Sequence, residues 1–133
     1  MYAAIEQDNH EAYRQLVDPN ISWEVLKNYP EGGTRTGYNA VFEGDGFFPS
    51  LYKQFDEWQA TPEEYLDADD NVIAVGVYRG RVIANQVRVE SPFVHIWTVR
   101  NGRLARMRQF TDTAAFVQAM TGGASTTNTL EVL

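Results

Sequence analysis

The sequence has no cysteine, and that one absence removes disulfides, thiolate metal sites and cysteine nucleophiles together. Basic side chains are scarce as well. Eleven Lys and Arg face 18 Asp and Glu, a net charge of −7, so a phosphate backbone would be repelled rather than gathered. No apolar run approaches the roughly 18 residues a membrane helix needs, and the N-terminus lacks the charged-then-apolar form of a signal peptide. P-loop, GxGxxG, GxSxG and HExxH motifs are all missing, and two histidines far apart give a zinc site almost no ligands. The expectation is a cytoplasmic protein without nucleic-acid or membrane partner, without a metal, and with cofactor-free chemistry or none.

What is present is 133 residues, 44% of them hydrophobic, which suffices for one core and not two. Charge divides along the chain: residues 1–70 hold 15 acids and 4 bases, whereas residues 71–133 hold 3 acids and 7 arginines. Such halves attract, through complementary surfaces or as an anion-binding patch on the Arg-rich half.

Helix signals come first. Ala3, Ala4 and Ile5 continue a helix under way at residue 1, and Asp8 with Glu11 three positions on has the form of a capping box. The second helix runs through Ala12, Tyr13, Leu16 and Val17, with Asp18-Pro19 as its stop. Residues 21–26 read as a short strand, Ile21, Trp23 and Val25 on one face and Ser22, Glu24 and Leu26 on the other. A turn-rich loop to Gly37 follows, then a helical pattern over residues 38–58 that Gly44 and Gly46 interrupt. Thr61-Pro62-Glu63-Glu64 is read as irregular.

From Asn71 the texture is β-branched and aromatic. Residues 72–78, 82–89 and 93–99 read as strands, and a fourth run, 104–110, answers the last across Asn101-Gly102. Asp112 or Thr113 caps a final helix ended by Gly122-Gly123. The class is α+β, helices first and a curved antiparallel sheet wrapped over them. Residues 123–133 are set apart as a polar tail in which Leu130-Glu131-Val132-Leu133 resembles the opening of a protease cleavage tag.

His95 stands out because it lies inside the most apolar strand, where a charged imidazolium is costly. A two-residue turn at Asn101-Gly102 sets it opposite Arg108; a three-residue loop sets it opposite Met107. The second arrangement collects Phe93, His95, Trp97, Ala105, Met107 and Gln109 on one pocket-like face. It leaves Val94, Ile96, Arg106, Arg108 and Phe110 on the other, where the apolar members suit a homodimer contact. Glu24 is either a surface acid or, buried beside Trp23, a general base whose pKa burial would raise. Asp112 is either a helix cap or a pocket acid.

The run Pro92-Phe93-Val94-His95-Ile96-Trp97-Thr98-Val99-Arg100-Asn101-Gly102-Arg103-Leu104, ending in Phe110-Thr111-Asp112-Thr113-Ala114-Ala115, resembles the SnoaL-like polyketide cyclase family. That family sits within the superfamily of ketosteroid isomerase and nuclear transport factor two, and the similarity covers residues 1–122 as one domain. The resemblance implies a cone-shaped, cystatin-like α+β barrel with an apolar pocket inside and a homodimer outside. It puts His95 near the isomerase's oxyanion-binding acid, Glu24 near its catalytic aspartate, Met107 near a pocket methionine and Tyr2 near its oxyanion tyrosine. This chain departs by having Glu for Asp, His for an acid, and a shorter first helix. The cyclases pair a histidine with a carboxylate, which keeps both His95 and Asp112 as candidates, while no Asp-Arg-Asp set of the related epoxide hydrolases can be placed.

Two functions follow as expectations. One is a cofactor-free isomerase, cyclase or hydrolase, with Glu24 or Asp112 moving a proton and His95 polarising an oxygen of a small apolar carbonyl compound. The other is a binding module of the same shape. In both, Tyr2, Trp23, Phe93, Trp97, Met107 and Gln109 line the pocket.

Overall fold

Two short helices open the computed structural model, which describes residues 1–122: α1 (Tyr2–Gln7) and α2 (His10–Leu16). The cap of α2 is Asn9, whose side chain accepts from the Ala12 amide at 3.1 Å, one position after the expected Asp8. Asp8 instead takes a left-handed conformation, φ 48°, and closes α1. The helix stops at Leu16, and the chain is already extended at Val17, so β1 (Val17–Val25) carries Asp18-Pro19 within it.

The loop after β1 contains a strand, β2 (Gly33–Thr36), that folds back on β1 with Ser22 opposite Thr36. The helical stretch beyond it breaks into α3 (Tyr38–Phe42) and α4 (Phe47–Tyr52) at the two glycines. It does not reach Trp58. Phe55 begins β3 (Phe55–Ala68), and Thr61-Pro62-Glu63-Glu64 lies inside that strand rather than in irregular chain. Proline is tolerated because β3 is a sheet edge, and pairing shifts between Pro62 and Glu64.

Where three apolar runs suggest three strands, two long ones form: β4 (Asn71–Val82) and β5 (Arg88–Arg100). The middle run is the hairpin between them, closed by the Val82 amide on the Val87 carbonyl and by Asn85 Oδ1 accepting from the Val87 amide. β6 (Arg103–Thr111) and α5 (Thr113–Met120) complete the order. The sheet runs β2-β1-β6-β5-β4-β3, antiparallel except for the parallel pair β1 and β6. It is curved and open, with edges at β2 and β3, rather than a closed barrel. Residues 123–133, the expected tail, lie outside the described residues. No helix among the described residues is long and apolar enough to cross a membrane.

Register decides which side chains enter the interior. Asn101 and Gly102, φ 52° and 75°, make the tight two-residue turn that such a pair favours. A bulge then places Thr98 opposite Arg106 while Val99 faces Leu104, leaving Ala105 as the extra residue on β6. His95 therefore pairs with Gln109, not with Arg108 or Met107. Because that shift has the parity of the three-residue loop, the faces fall as that arrangement expects: Phe93, His95, Trp97, Met107 and Gln109 are all buried. On β4 the buried residues are Ala74, Gly76, Tyr78, Gly80 and Val82. A Cβ on Gly76 would stand 2.6 Å from the Phe93 ring and 2.2 Å from the Thr61 carbonyl oxygen, so the strand passes here only as glycine.

Candidate functional site

β5 presents Phe93, His95 and Trp97 inward at alternate positions, β6 adds Met107 and Gln109, β1 adds Trp23, and β4 adds Tyr78. α1 brings Tyr2 over them. The Tyr2 hydroxyl shares a hydrogen bond with His95 Nδ1 at 2.7 Å and accepts from Trp97 Nε1 at 2.9 Å. On the other side of the ring, His95 Nε2 shares a hydrogen bond of 2.5 Å with the Tyr78 hydroxyl, which accepts from Gln109 Nε2 at 2.9 Å. Phe93 stacks on the imidazole with ring centroids 4.1 Å apart.

Burial sets the charge state of this network. Desolvation pulls the His95 pKa from 6.5 down to about 3, so the imidazole is neutral. The same cause holds the Tyr2 and Tyr78 phenols above their ordinary range, and both remain protonated donors. A neutral imidazole carries one proton. With that proton on Nδ1, Tyr2 accepts from His95 and from Trp97, and its own O–H is unspent, while Tyr78 donates to Nε2. With it on Nε2, Tyr2 donates to Nδ1 and the Tyr78 proton is the one left over, with Tyr29 beside it. With the proton on Nδ1 the network thus keeps one phenolic donor, the Tyr2 O–H, in reserve.

His95, Tyr78, Trp23, Trp97, Met107 and Gln109 line an inner cavity of about 20 Å³, closed from the helix side by Phe47, Phe48 and Leu51. That is space for one oxygen-sized group. Two buried polar atoms in this lining have no partner among the described residues: Trp23 Nε1 and Gln109 Oε1. A second, outer cleft of about 390 Å³ runs between α1 and β3, bordered by Tyr2, Asp8, Tyr52 and Thr61. Ile5, Trp58 and Ala60 border both spaces, so three side chains form the wall between them. A shallower groove of about 600 Å³ lies by Glu57, Arg79, Arg88 and Glu90. Arg88 pairs there with Glu57 at 2.8 Å and Arg79 with Glu90 at 3.4 Å, and the groove is not part of the His95 site.

The structure thus brings Tyr2, Trp23, Phe93, His95, Trp97, Met107 and Gln109 together, and leaves both acids of the expected constellation elsewhere. Glu24 alternates with Trp23, so it points to the opposite, outer face, where Arg106 binds it through Nε and through Nη2 at 2.9 Å. That guanidinium holds the carboxyl below its ordinary pKa, the reverse of a raised general base. Asp112 is a helix cap: its side chain accepts from the Ala115 amide at the start of α5. Among the described residues lining the inner cavity there is no Asp or Glu, and no three His, Asp or Glu side chains converge to hold a metal ion.

The sequence marks Tyr78, Tyr29 and Trp58 only as aromatics fit for a cavity or a core. β4 turns Ala74 and Gly76 inward and Ile73, Val75 and Val77 outward, so ordinary hydrophobic alternation picks the wrong face and hides Tyr78. The one available signal is that Tyr78 shares its parity with the small residues Ala74, Gly76 and Gly80.

A SnoaL-like domain model matches residues 1–107. No curated protein sequence matches the chain. Among solved structures, an NTF2-like protein of Burkholderia thailandensis is 29% identical over 90% of each chain, with a TM-score of 0.83. TerC co-crystallised with polyporic acid is 23% identical, covering 91% of this chain and 92% of its own, with a TM-score of 0.80. A Catenulispora acidiphila protein of ketosteroid isomerase-like fold, in complex with trimethylamine, is 16% identical over 90% of this chain and 88% of its own, at 0.74.

Proposed function

The chain belongs to the SnoaL-like domain family, and from that membership and the neutral network around His95 we propose that the protein holds a small, largely apolar molecule by one oxygen function. The observation that carries this reading is the Tyr2–His95–Tyr78 chain, a buried set of uncharged donors beside aromatic walls. Apolar walls reject charge and strengthen each hydrogen bond made inside them. The ligand's apolar body enters from the outer cleft once Ile5 or Trp58 turns aside, and its oxygen meets the network. Two proteins of this fold that hold polyporic acid and trimethylamine support the use of such a pocket for small molecules.

Isomerase or cyclase chemistry is the second reading. It is favoured by the tautomer switch, which lets a proton enter at Tyr2 and leave at Tyr78. It ranks behind binding because abstraction from carbon needs a stronger base than an imidazole of pKa about 3, and both acids expected for that role face away. The test is a titration of bicyclic aromatic alcohols and ketones against tryptophan fluorescence, in native protein and in His95→Ala and Tyr2→Phe. Binding weakened about tenfold by either change, with the fold intact, is the expected result. Binding by none of the compounds, or binding indifferent to both changes, would end the proposal.

We propose in addition that a second copy of the chain covers the outer sheet face. Ile73 faces Ile96, and Val75, Val94 and Phe110 follow one another across β4, β5 and β6, an apolar row with Phe110 46% exposed. Light scattering that finds only a 15.1 kDa particle at dilute concentration would refute it.

A further inference from the structure

We infer that the inner cavity is built for a hydroxyl group and discriminates against a carbonyl, an assignment that rests on the ligand-holding reading above and narrows its ligand class. Two unpartnered buried atoms carry this assignment. Trp23 is 3% exposed and Gln109 is 2% exposed, both line the cavity, and they are opposite in kind. Indole Nε1–H only donates, so it needs an acceptor. Gln109 spends its amide nitrogen on Tyr78, so its carbonyl oxygen needs a donor.

The two side chains are near one another by register. Trp23 sits opposite Met107, and Gln109 is the next inward residue on that same strand, a diagonal neighbour on one face. A ketone or ether oxygen satisfies Trp23 and leaves Gln109 Oε1 unpaired. An ammonium satisfies Gln109 and sets a cation against the indole N–H. A hydroxyl accepts from Trp23 and donates to Gln109, and a space of about 20 Å³ admits a group of that size. A phenol or enol meets both requirements with its proton retained, and its ring extends toward the aromatic walls.

Three compounds of one skeleton test this: indane, 1-indanone and 5-indanol, titrated near pH 7 where the phenol keeps its proton. Tryptophan fluorescence reports affinity, and the Trp23 indole N–H resonance reports the bond itself. The expected result is 5-indanol bound about tenfold more tightly than either other compound, since each of those leaves a buried group unpaired, with the Trp23 resonance moved downfield by 5-indanol. Trp23→Phe and Gln109→Met should each erase most of that preference, read within each variant as the ratio of 5-indanol to indane affinity. Thermal melts establish that the variants fold, and the resonance in native protein needs no variant. Equal affinity for the three compounds, or 1-indanone the tightest, overturns the hydroxyl assignment while the pocket stands. Binding of none of them overturns the pocket reading as well.

Discussion

Trp23 and Glu24 are consecutive residues of β1, yet they inhabit different solvents. Trp23 points into the concave interior among Phe47, Phe48 and Trp97, and Glu24 points outward onto Arg106. Along β5 and β6 the same division repeats: inward His95 and Gln109 are polar but uncharged, whereas outward Arg106 is charged and paired with Glu24. The lesson is that burial selects neutral hydrogen bonding on one face, and solvent permits ion pairing on the other. A polar residue on this sheet is therefore interpretable only once its face is known.

The most forceful way to break the comparison is to make one change on both faces. Phe93 is 1% exposed against His95, and Phe93→Ala should lower stability by about 3–5 kcal/mol in urea melts through loss of burial plus the cavity left behind. Phe110→Ala on the outer face should barely move the monomer and should shift the proposed dimer toward monomer in light scattering. Equal losses of folding stability would mean that the faces are not distinct.

Acid is the second probe. His95 has its folded pKa depressed from 6.5 to about 3, so its neutral burial contributes full stability above 6.5, and that contribution falls as the unfolded chain alone takes up the proton. The expected loss is roughly 1.4 kcal/mol per pH unit below 6.5, or about 3 kcal/mol between pH 7 and pH 4. His95→Phe should flatten that part of the profile, and an unchanged slope would deny the histidine its neutral burial. Glu24, held below its ordinary pKa by Arg106, gives up its own contribution only at lower pH, as its folded pKa is passed.

Removing one hydroxyl is a smaller perturbation. Tyr2→Phe should cost about 1–2 kcal/mol, because Trp97 Nε1 and His95 Nδ1 both lose their partner. Thermal melts measure that cost, and the tryptophan titration should show the accompanying loss of ligand. Smallest of all is Glu24→Gln. A half-exposed pair screened by water should give a minor melting shift that added salt erases, with ligand affinity unchanged. A fall in ligand affinity would return Glu24 to the site.

Much of this was legible beforehand, for identifiable reasons. His95 was readable because an ionisable ring in an apolar strand is costly wherever it points, and its company with Phe93, Trp97, Met107 and Gln109 followed from alternation. Glu24 stays ambiguous in the sequence because alternation separates it from Trp23 without saying which face is inside. β3 was hidden because an edge strand needs only one apolar side and tolerates Pro62, so its polar residues read as loop.

By itself the sequence determined the α+β class, the alternation of β5 and β6 and a turn at Asn101-Gly102, and it limited Asp112 to a helix cap or a pocket acid. These are consequences of local dihedral preference and period-two burial, which act over a few residues. Only the tertiary structure decided that Tyr2 and Tyr78 grip opposite nitrogens of His95, that no carboxylate among the described residues joins them, and that Trp23 and Gln109 each keep one buried polar atom unpaired among those residues. Those facts depend on residues up to 93 positions apart, and on a one-residue bulge at Ala105 that slides β6 past β5, and no local preference carries information over such a span.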